Sequence, residues 1–183
     1  ARFTEIMAVR GWSALAVFDN RGAPILALGQ TDAAAHAQAV QEVLAHPRLV
    51  TVDLHLDPEG RVEYGLLTPV TQPGGPLLGV AYLSWRVEES LYPLISAWPV
   101  PTETAETFMV RREGDEIRYL TPLRHEPAAA LRMRLSLDTP HLPAALAARG
   151  QTGILPQAQD YRGELVLAYA TAIADTPWLL IAK

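Results

Sequence analysis

Asp53, His55 and Asp57 stand at every second position along one stretch, Val50 to Asp57 (VTVDLHLD). In an extended strand, residues two apart share a face, so these three oxygen and nitrogen donors would line up on one side. That arrangement could serve a metal, but a metal needs three or four ligands converging from more than one direction. The five histidines, His36, His46, His55, His125 and His141, form no ligand spacing with one another or with a carboxylate pair. The other reading of Asp53 and His55 is a solvated polar strand face. There is no cysteine, which excludes thiolate catalysis, disulfides and Cys-based zinc. No G-x-S-x-G, phosphate-binding loop or dinucleotide fingerprint occurs. Asp115 and Glu116 fall at a turn and read as a solvated tip rather than an acid/base pair. The sequence therefore assigns no catalytic residue, no metal ligand and no cofactor.

The elements that must position these groups follow from periodicity. Phe3, Ile6 and Met7 have helical spacing, and Gly11 can end that helix. Ala14 to Phe18 and Pro24 to Leu28 flank Asp19-Asn20-Arg21-Gly22 as a hairpin. A helix is expected over Ala33 to Ala45, capped by Thr31 or Asp32, with Val40, Val43 and Leu44 on one side and Pro47 beyond its end. Val50, Val52, Leu54 and Leu56 alternate with Thr51, Asp53 and His55, the pattern of a half-buried strand. Gly60 to Leu83 then reads as a long strand, a turn at Gln72-Pro73-Gly74-Gly75, and a second apolar strand. Glu88 to Trp98 has helical spacing, with Pro93 requiring a kink or a late start.

A similar unit closes the chain. Glu164 to Ile173 is strand-like, Asp175-Thr176-Pro177 supplies turn chemistry, and Trp178 to Ala182 is a short apolar strand. Ahead of it, Thr107 to Arg112 and Glu116 to Leu120 flank a turn. Leu131 to Leu137 alternates, Pro143 to Arg149 is a short helix, and Gln151 to Gln159 reads as a loop. The Pro/Thr-rich stretch 99–104 divides the two halves. The expectation is α+β: two tandem modules, residues 1–98 and 99–183, each an antiparallel sheet with flanking helices.

Three stretches make the order more specific: Thr104 to Asp115 (TAETFMVRREGD), Tyr119 to His125 (YLTPLRH), and Asp160 to Gly163 (DYRG) with Thr176 to Lys183 (TPWLLIAK). Together they resemble the extracytoplasmic double Cache, or tandem PAS-like, sensor domains of bacterial membrane-bound histidine kinases and GGDEF/EAL signalling proteins. The resemblance covers nearly the whole chain and is strongest from Leu91 onward. It implies a membrane-distal module, a membrane-proximal module, and a parent anchored in the inner membrane with this portion in the periplasm. It also implies a homodimer formed through a long N-terminal helix, of which Phe3 to Val9 is the remnant. The chain opens without an initiator Met, so we read it as a fragment of a longer protein. The ligand-binding Tyr/Arg/Trp/Asp arrangement of the family finds no match at the spacing of Tyr82, Trp85 and Arg86. The ligand class therefore does not carry over.

PAS-like modules hold small molecules between the inner sheet face and its covering helix. In the first module this makes Asp53, His55, Tyr64, Tyr82 and Ser84 the candidate ligand-binding residues. Tyr64 and Tyr82 lie on two arms of one hairpin and would face each other if the register allows; the alternative is that both are core or rim residues. Tyr119, Tyr161 and Tyr169 are the counterparts in the second module. The function implied is a non-enzymatic sensor for a small molecule of unidentified chemistry. The other reading is a structural or interaction module without a ligand. A net charge of −5 and no basic block argue against a nucleic-acid partner. No apolar run reaches the roughly 20 residues of a membrane span.

Overall fold

The computed structural model describes residues 2–29, 31, 35–96 and 104–183. The chain divides into two compact units, Ala1–Ser90 and Leu91–Lys183. The boundary expected between residues 98 and 99 lies outside the described residues.

The first unit contains α1 (Arg2–Arg10), β1 (Ala14–Asp19), β2 (Pro24–Gly29), α2 (Ala37–Ala45), β3 (Val50–Leu56), β4 (Val62–Thr71) and β5 (Leu77–Arg86). Its five strands form one antiparallel sheet in the order β2-β1-β5-β4-β3. The last strand thus returns to lie beside the first. Asp19 tightens the β1–β2 turn by accepting from the amides of Arg21 (2.9 Å) and Ala23 (2.8 Å). Val40 and Val43 of α2 are buried over Ala16, Phe18, Leu67, Val80 and Tyr82 on the inner sheet face. Burying side chains of this size stabilises by about 1.5–3 kcal/mol each.

The second unit contains α3 (Leu91–Ser96), β6 (Thr107–Glu113), β7 (Glu116–Tyr119), a 3-10 turn at Pro127–Ala129, β8 (Arg134–Ser136), α4 (Pro143–Ala148), β9 (Gly153–Gln159), β10 (Leu165–Ala172) and β11 (Trp178–Ala182). The sheet order is β8-β7-β6-β11-β10-β9. Here again the closing strand, β11, lies beside the opening one, β6. The hairpins β4–β5 and β10–β11 hold equivalent places in their sheets, as the sequence led us to expect. Ala144, Ala145 and Ala147 of α4 lie in the core with Phe108, Ile117, Tyr119, Ala168, Ala170 and Ile181.

Several elements differ from the sequence reading. The helix expected from Ala33 starts at Ala37 behind His36, and its expected first residues, 33 and 34, with the candidate cap Asp32, lie outside the described residues. The helix expected from Glu88 starts at Leu91, which places Pro93 in the first turn, where a missing N–H costs no helical bond. The expected end of that helix at Trp98 lies outside the described residues. Gln151 to Gln159, expected as a loop, pairs with β10 as the edge strand β9. The strand expected over Leu131 to Leu137 shrinks to Arg134–Ser136, because Leu131 takes φ = 56°, a left-handed backbone that no strand continues through.

Candidate functional site

The site is built on the inner face of the first sheet, and strand register decides who reaches it. β4 and β5 pair Leu67 with Tyr82, Gly65 with Ser84 and Glu63 with Arg86, so these residues share one face. Ala14 and Ala16 of β1 join it opposite Ser84 and Tyr82. Tyr64 pairs with Trp85 and so takes the other face. The register therefore does not let Tyr64 and Tyr82 face each other. On the outer side Trp85 packs edge-on against Trp12, with centroids 6.4 Å apart.

β3 holds a second departure. Val50, Val52 and His55 lie opposite Leu67, Gly65 and Glu63, with a register shift between Val52 and His55. The shift is a bulge: two residues, Asp53 and Leu54, fall where the pairing advances by one. His55 consequently joins the face of Val50 and Val52, while Leu54 is buried and Leu56 is exposed. The expected common polar face of Asp53 and His55 does not form. Asp53 instead accepts from the Leu54 amide at 2.6 Å inside the bulge.

The result is a cavity of about 230 Å³ lined by Thr31, Ala35, His36, His55, Leu56, Asp57, Pro58 and Glu63. The ring of His36 stacks on Tyr82 at 4.0 Å and meets His55 edge-on at 5.8 Å. Tyr82 is fully buried behind them, and its ring occupies the space left by Gly65, where a Cβ would lie 2.6 Å from the ring edge. Burial, and then the nearby Glu63 carboxylate, push the Tyr82 hydroxyl up to about 12, with Ser84 acting the other way. Ser84 is itself buried and bonds Ser13 through their hydroxyls at 2.9 Å.

The two carboxylates of the wall are in different situations. Asp57 is committed: it accepts from the amides of Glu59 (2.8 Å) and Arg61 (2.9 Å) and from Arg61 Nε (2.8 Å). Burial alone would raise its pKa, but these donors outweigh it and hold the carboxyl below the usual range. Glu63 is only 2% exposed, makes no hydrogen bond or ion pair within 4 Å among the described residues, and its charge acts on the Arg61 guanidinium. The Thr31 hydroxyl is likewise buried without a hydrogen-bond partner. His36, Thr31 and Glu63 escaped the sequence reading. Glu63 had a signal, its phase with Gly65 and Leu67, and His36 had none beyond its place just ahead of the helix.

Of the five candidate residues, His55 lines the cavity and Tyr82 stacks on one of its wall residues. Ser84 lies on the same sheet face, whereas Asp53 sits in the bulge and Tyr64 on the opposite face. Among the described residues no group of three or more His, Asp or Glu could hold a metal ion. None of their helices is long and apolar enough to cross a membrane.

In the second unit Tyr119 and Tyr161 pack with Phe108, centroids 5.6–6.4 Å apart. Tyr169 is on the outer face and 51% exposed, so the three tyrosines do not meet. Beside Tyr161 lies a buried ion cluster: Lys183 Nζ is 2.6 Å from Asp160 and 3.1 Å from Glu106. Burial raises the hydroxyls of Tyr119 and Tyr161 well above the ordinary phenol value.

Two sheets of this strand order in tandem define the double Cache, or tandem PAS-like, fold. The chain superposes on the ligand-binding domain of the amino acid chemoreceptor PctC of Pseudomonas aeruginosa PAO1, solved in complex with GABA. The identity is 17% and the TM-score 0.59, over 95% of this chain and 74% of that one. The extracellular domain assigned to a histidine kinase, mmHK1S-Z2, matches at 12% identity and TM-score 0.64, over 97% and 77% of the two chains. A domain assigned to the sensory box/GGDEF family of Vibrio parahaemolyticus matches at 13% identity and TM-score 0.57, over 99% and 74%. At these identities the likeness is one of fold. No family model matches the sequence, and no curated protein matches it.

Proposed function

We propose that the chain is the extracytoplasmic input domain of a bacterial membrane-bound signalling protein. In this reading it binds a small molecule in the cavity of the first unit and relays occupancy to a cytoplasmic kinase or GGDEF/EAL output. The domain itself is non-enzymatic, and its parent is anchored in the inner membrane with this portion in the periplasm. One observation carries the reading: a cavity lined by Thr31, His36, His55, Asp57 and Glu63 holds a buried carboxylate and a buried hydroxyl with no hydrogen-bond partner among the described residues. Buried polar groups are satisfied in folded proteins, so such a pair calls for a ligand or water. The fold is one in which other proteins have been solved with small ligands bound, such as GABA in PctC.

A thermal-shift screen of the purified chain against a metabolite panel tests this. A saturating ligand at a hundredfold excess over its Kd adds about 2.7 kcal/mol. A compound that stabilises saturably and perturbs the amides of His55 and Glu63 is the expected result. A panel without a single saturable binder, and a protein that carries no copurified small molecule in native mass spectrometry, would favour the interaction-module reading.

Self-association is the second part of the reading. Phe3, Ile6 and Val9 recur at three-residue intervals along α1 and are all exposed. We take this row as part of a pairing surface. The isolated chain is expected to be a monomer or weak dimer in sedimentation at low micromolar concentration. Restoring upstream residues should strengthen association, and a tight dimer of the present chain would refute the assignment.

A further inference from the structure

We infer that the second unit carries a site for a primary alkylammonium group, and that the chain fills this site with its own Lys183. Nothing in it requires a ligand in the first unit. Lys183 is the only lysine in the sequence, against fourteen arginines. Lysines are almost never fully buried unless paired. This one has its side chain fully buried, and the turn that receives it is present twice in the chain. Asp57 follows β3 and Asp160 follows β9, each opening a D-x-x-G turn, Asp57 to Gly60 and Asp160 to Gly163. In both turns the Asp amide donates to the carbonyl four residues on, at 2.8 and 2.9 Å, and the Gly amide donates back to the Asp carbonyl, at 2.9 and 2.8 Å. In both, Asp Oδ1 accepts from the amides two and four residues on, and Oδ2 takes an arginine, Arg61 or Arg162. The units part at one point. Asp57 borders the cavity of about 230 Å³, whereas Asp160 Oδ2 also accepts from Lys183 Nζ at 2.6 Å. The second unit thus supplies, from its own chain, a cation at the carboxylate that in the first unit stands beside open space.

Three groups surround the ammonium. Asp160 lies at 2.6 Å, Glu106 at 3.1 Å and the centre of the Tyr161 ring at 5.0 Å. Glu106 is held in place by the Arg124 amide, which donates to its Oε2 at 2.7 Å. An ammonium has three donors around one nitrogen, and two carboxylates with an aromatic face match them. A guanidinium is planar and spreads five donors in one fork, so this enclosure separates the two kinds of cation. With Arg162 on Asp160, the cluster sets two cations against two carboxylates. Truncating Lys183 therefore leaves one negative charge uncompensated in a buried place, and a free ammonium of the same shape relieves it. Glu106 also lines a cavity of about 280 Å³ with Ala105, Thr107, Leu123 and Arg124, so the enclosure borders space through which a small cation can arrive.

Truncation followed by return of the lost fragment tests this. Lys183→Ala removes a piece the size of propylammonium. n-Propylammonium, 1-propanol, propionate and guanidinium are each titrated into the ¹⁵N-labelled variant at pH 7 and constant ionic strength, following the amides of Glu106, Asp160 and Tyr161. Propylammonium is expected to bind saturably and at least about tenfold more tightly than each other probe, and at tenfold excess over its Kd to raise the Tm of the variant by at least about 3 °C. Wild type, already occupied, should not respond at these amides. If Lys183→Ala does not fold, Lys183→Cys carries the test, because the chain has no other cysteine. The unfolded variant is alkylated with 2-bromoethylamine, which restores an ammonium at lysine's length, or with 2-bromoethanol, which ends in a hydroxyl, and is then refolded. Only the aminoethyl form is expected to regain the wild-type spectrum of the second unit. Equal or tighter binding of propanol, propionate or guanidinium overturns the ammonium site. So does saturable binding of propylammonium to wild type at the same amides, no response of folded Lys183→Ala to propylammonium, or an equal outcome for the two alkylated forms. Every readout lies in the second unit, and the cavity of the first is judged separately by the metabolite screen.

Discussion

Lys183→Met is expected to destabilise the second unit by about 3–5 kcal/mol, the usual cost of removing one partner from a buried ion cluster. The Lys183 side chain is fully buried, with Asp160 and Glu106 as its counter-charges. Its Nζ also lies 5.0 Å from the centre of the Tyr161 ring. Methionine fills the same volume but leaves Glu106 without its cation and Asp160 with Arg162 alone. Backbone bonds between Lys183 and Glu106, 3.0 Å each way, tie the same two residues together, so the side-chain cluster reinforces an existing sheet contact. Urea unfolding of wild type and variant measures the loss, and a difference below about 1 kcal/mol would show that water replaces the lysine at little cost. Acid provides an independent reading. Burial would raise the Asp160 pKa, yet donors from Lys183 and Arg162 outweigh it and bring it to about 2. A depressed carboxyl pKa contributes stability that is fully present above the unfolded value near 4 and lost as pH falls towards 2. That contribution is about 2 kcal/mol for wild type. Stability of Lys183→Met should fall less steeply across pH 4 to 2, because the main donor that depresses Asp160 is gone.

Particular residues explain which parts of this molecule can be read from its sequence. β11 was legible because five apolar residues follow a turn whose Asp175 adopts φ = 60°. The two closing hairpins were legible for the same reason, and with them the tandem architecture. β9 was not, since Gly153 and Pro156 read as a loop. An edge strand tolerates a proline because one side of it has no partner to receive the missing N–H. The site was only partly legible. Simple alternation placed Asp53 and His55 together, but one bulge advances the phase and sends His55 inward. Such a bulge depends on pairing with β4 and leaves no mark in a run that alternates throughout. Parity alone would have separated Tyr64 from Tyr82 once the pairing of Leu67 with Tyr82 was known, and that pairing depends on the turn from Thr71 to Leu77. Glu63 was passed over because a glutamate in a strand reads as solvated, whereas here it shares the inner face with Gly65 and Leu67.

Tyr82→Ala is expected to cost the first unit about 3–5 kcal/mol and to abolish ligand-induced stabilisation. The ring is fully buried and stacks on His36. It also fills the space above Gly65, so its loss opens a void where no neighbouring Cβ stands. His36 would then lose the surface that fixes its ring beside His55, and the cavity wall would lose its shape before any contact with ligand is considered. The measured quantity is the shift in Tm between ligand-free and ligand-saturated protein, which separates binding from the lower baseline stability of the variant. Tyr82→Phe keeps the ring and should retain most of that shift, which distinguishes a packing role from a hydroxyl contact. Tyr169→Ala serves as the opposing case. Tyr169 lies on the outer face of the second sheet beside Ile154 and Ala182, so its removal should leave both the baseline and the shift unchanged. A shift that survives Tyr82→Ala but disappears in Tyr169→Ala would place the ligand in the second unit and overturn the site proposed for the first.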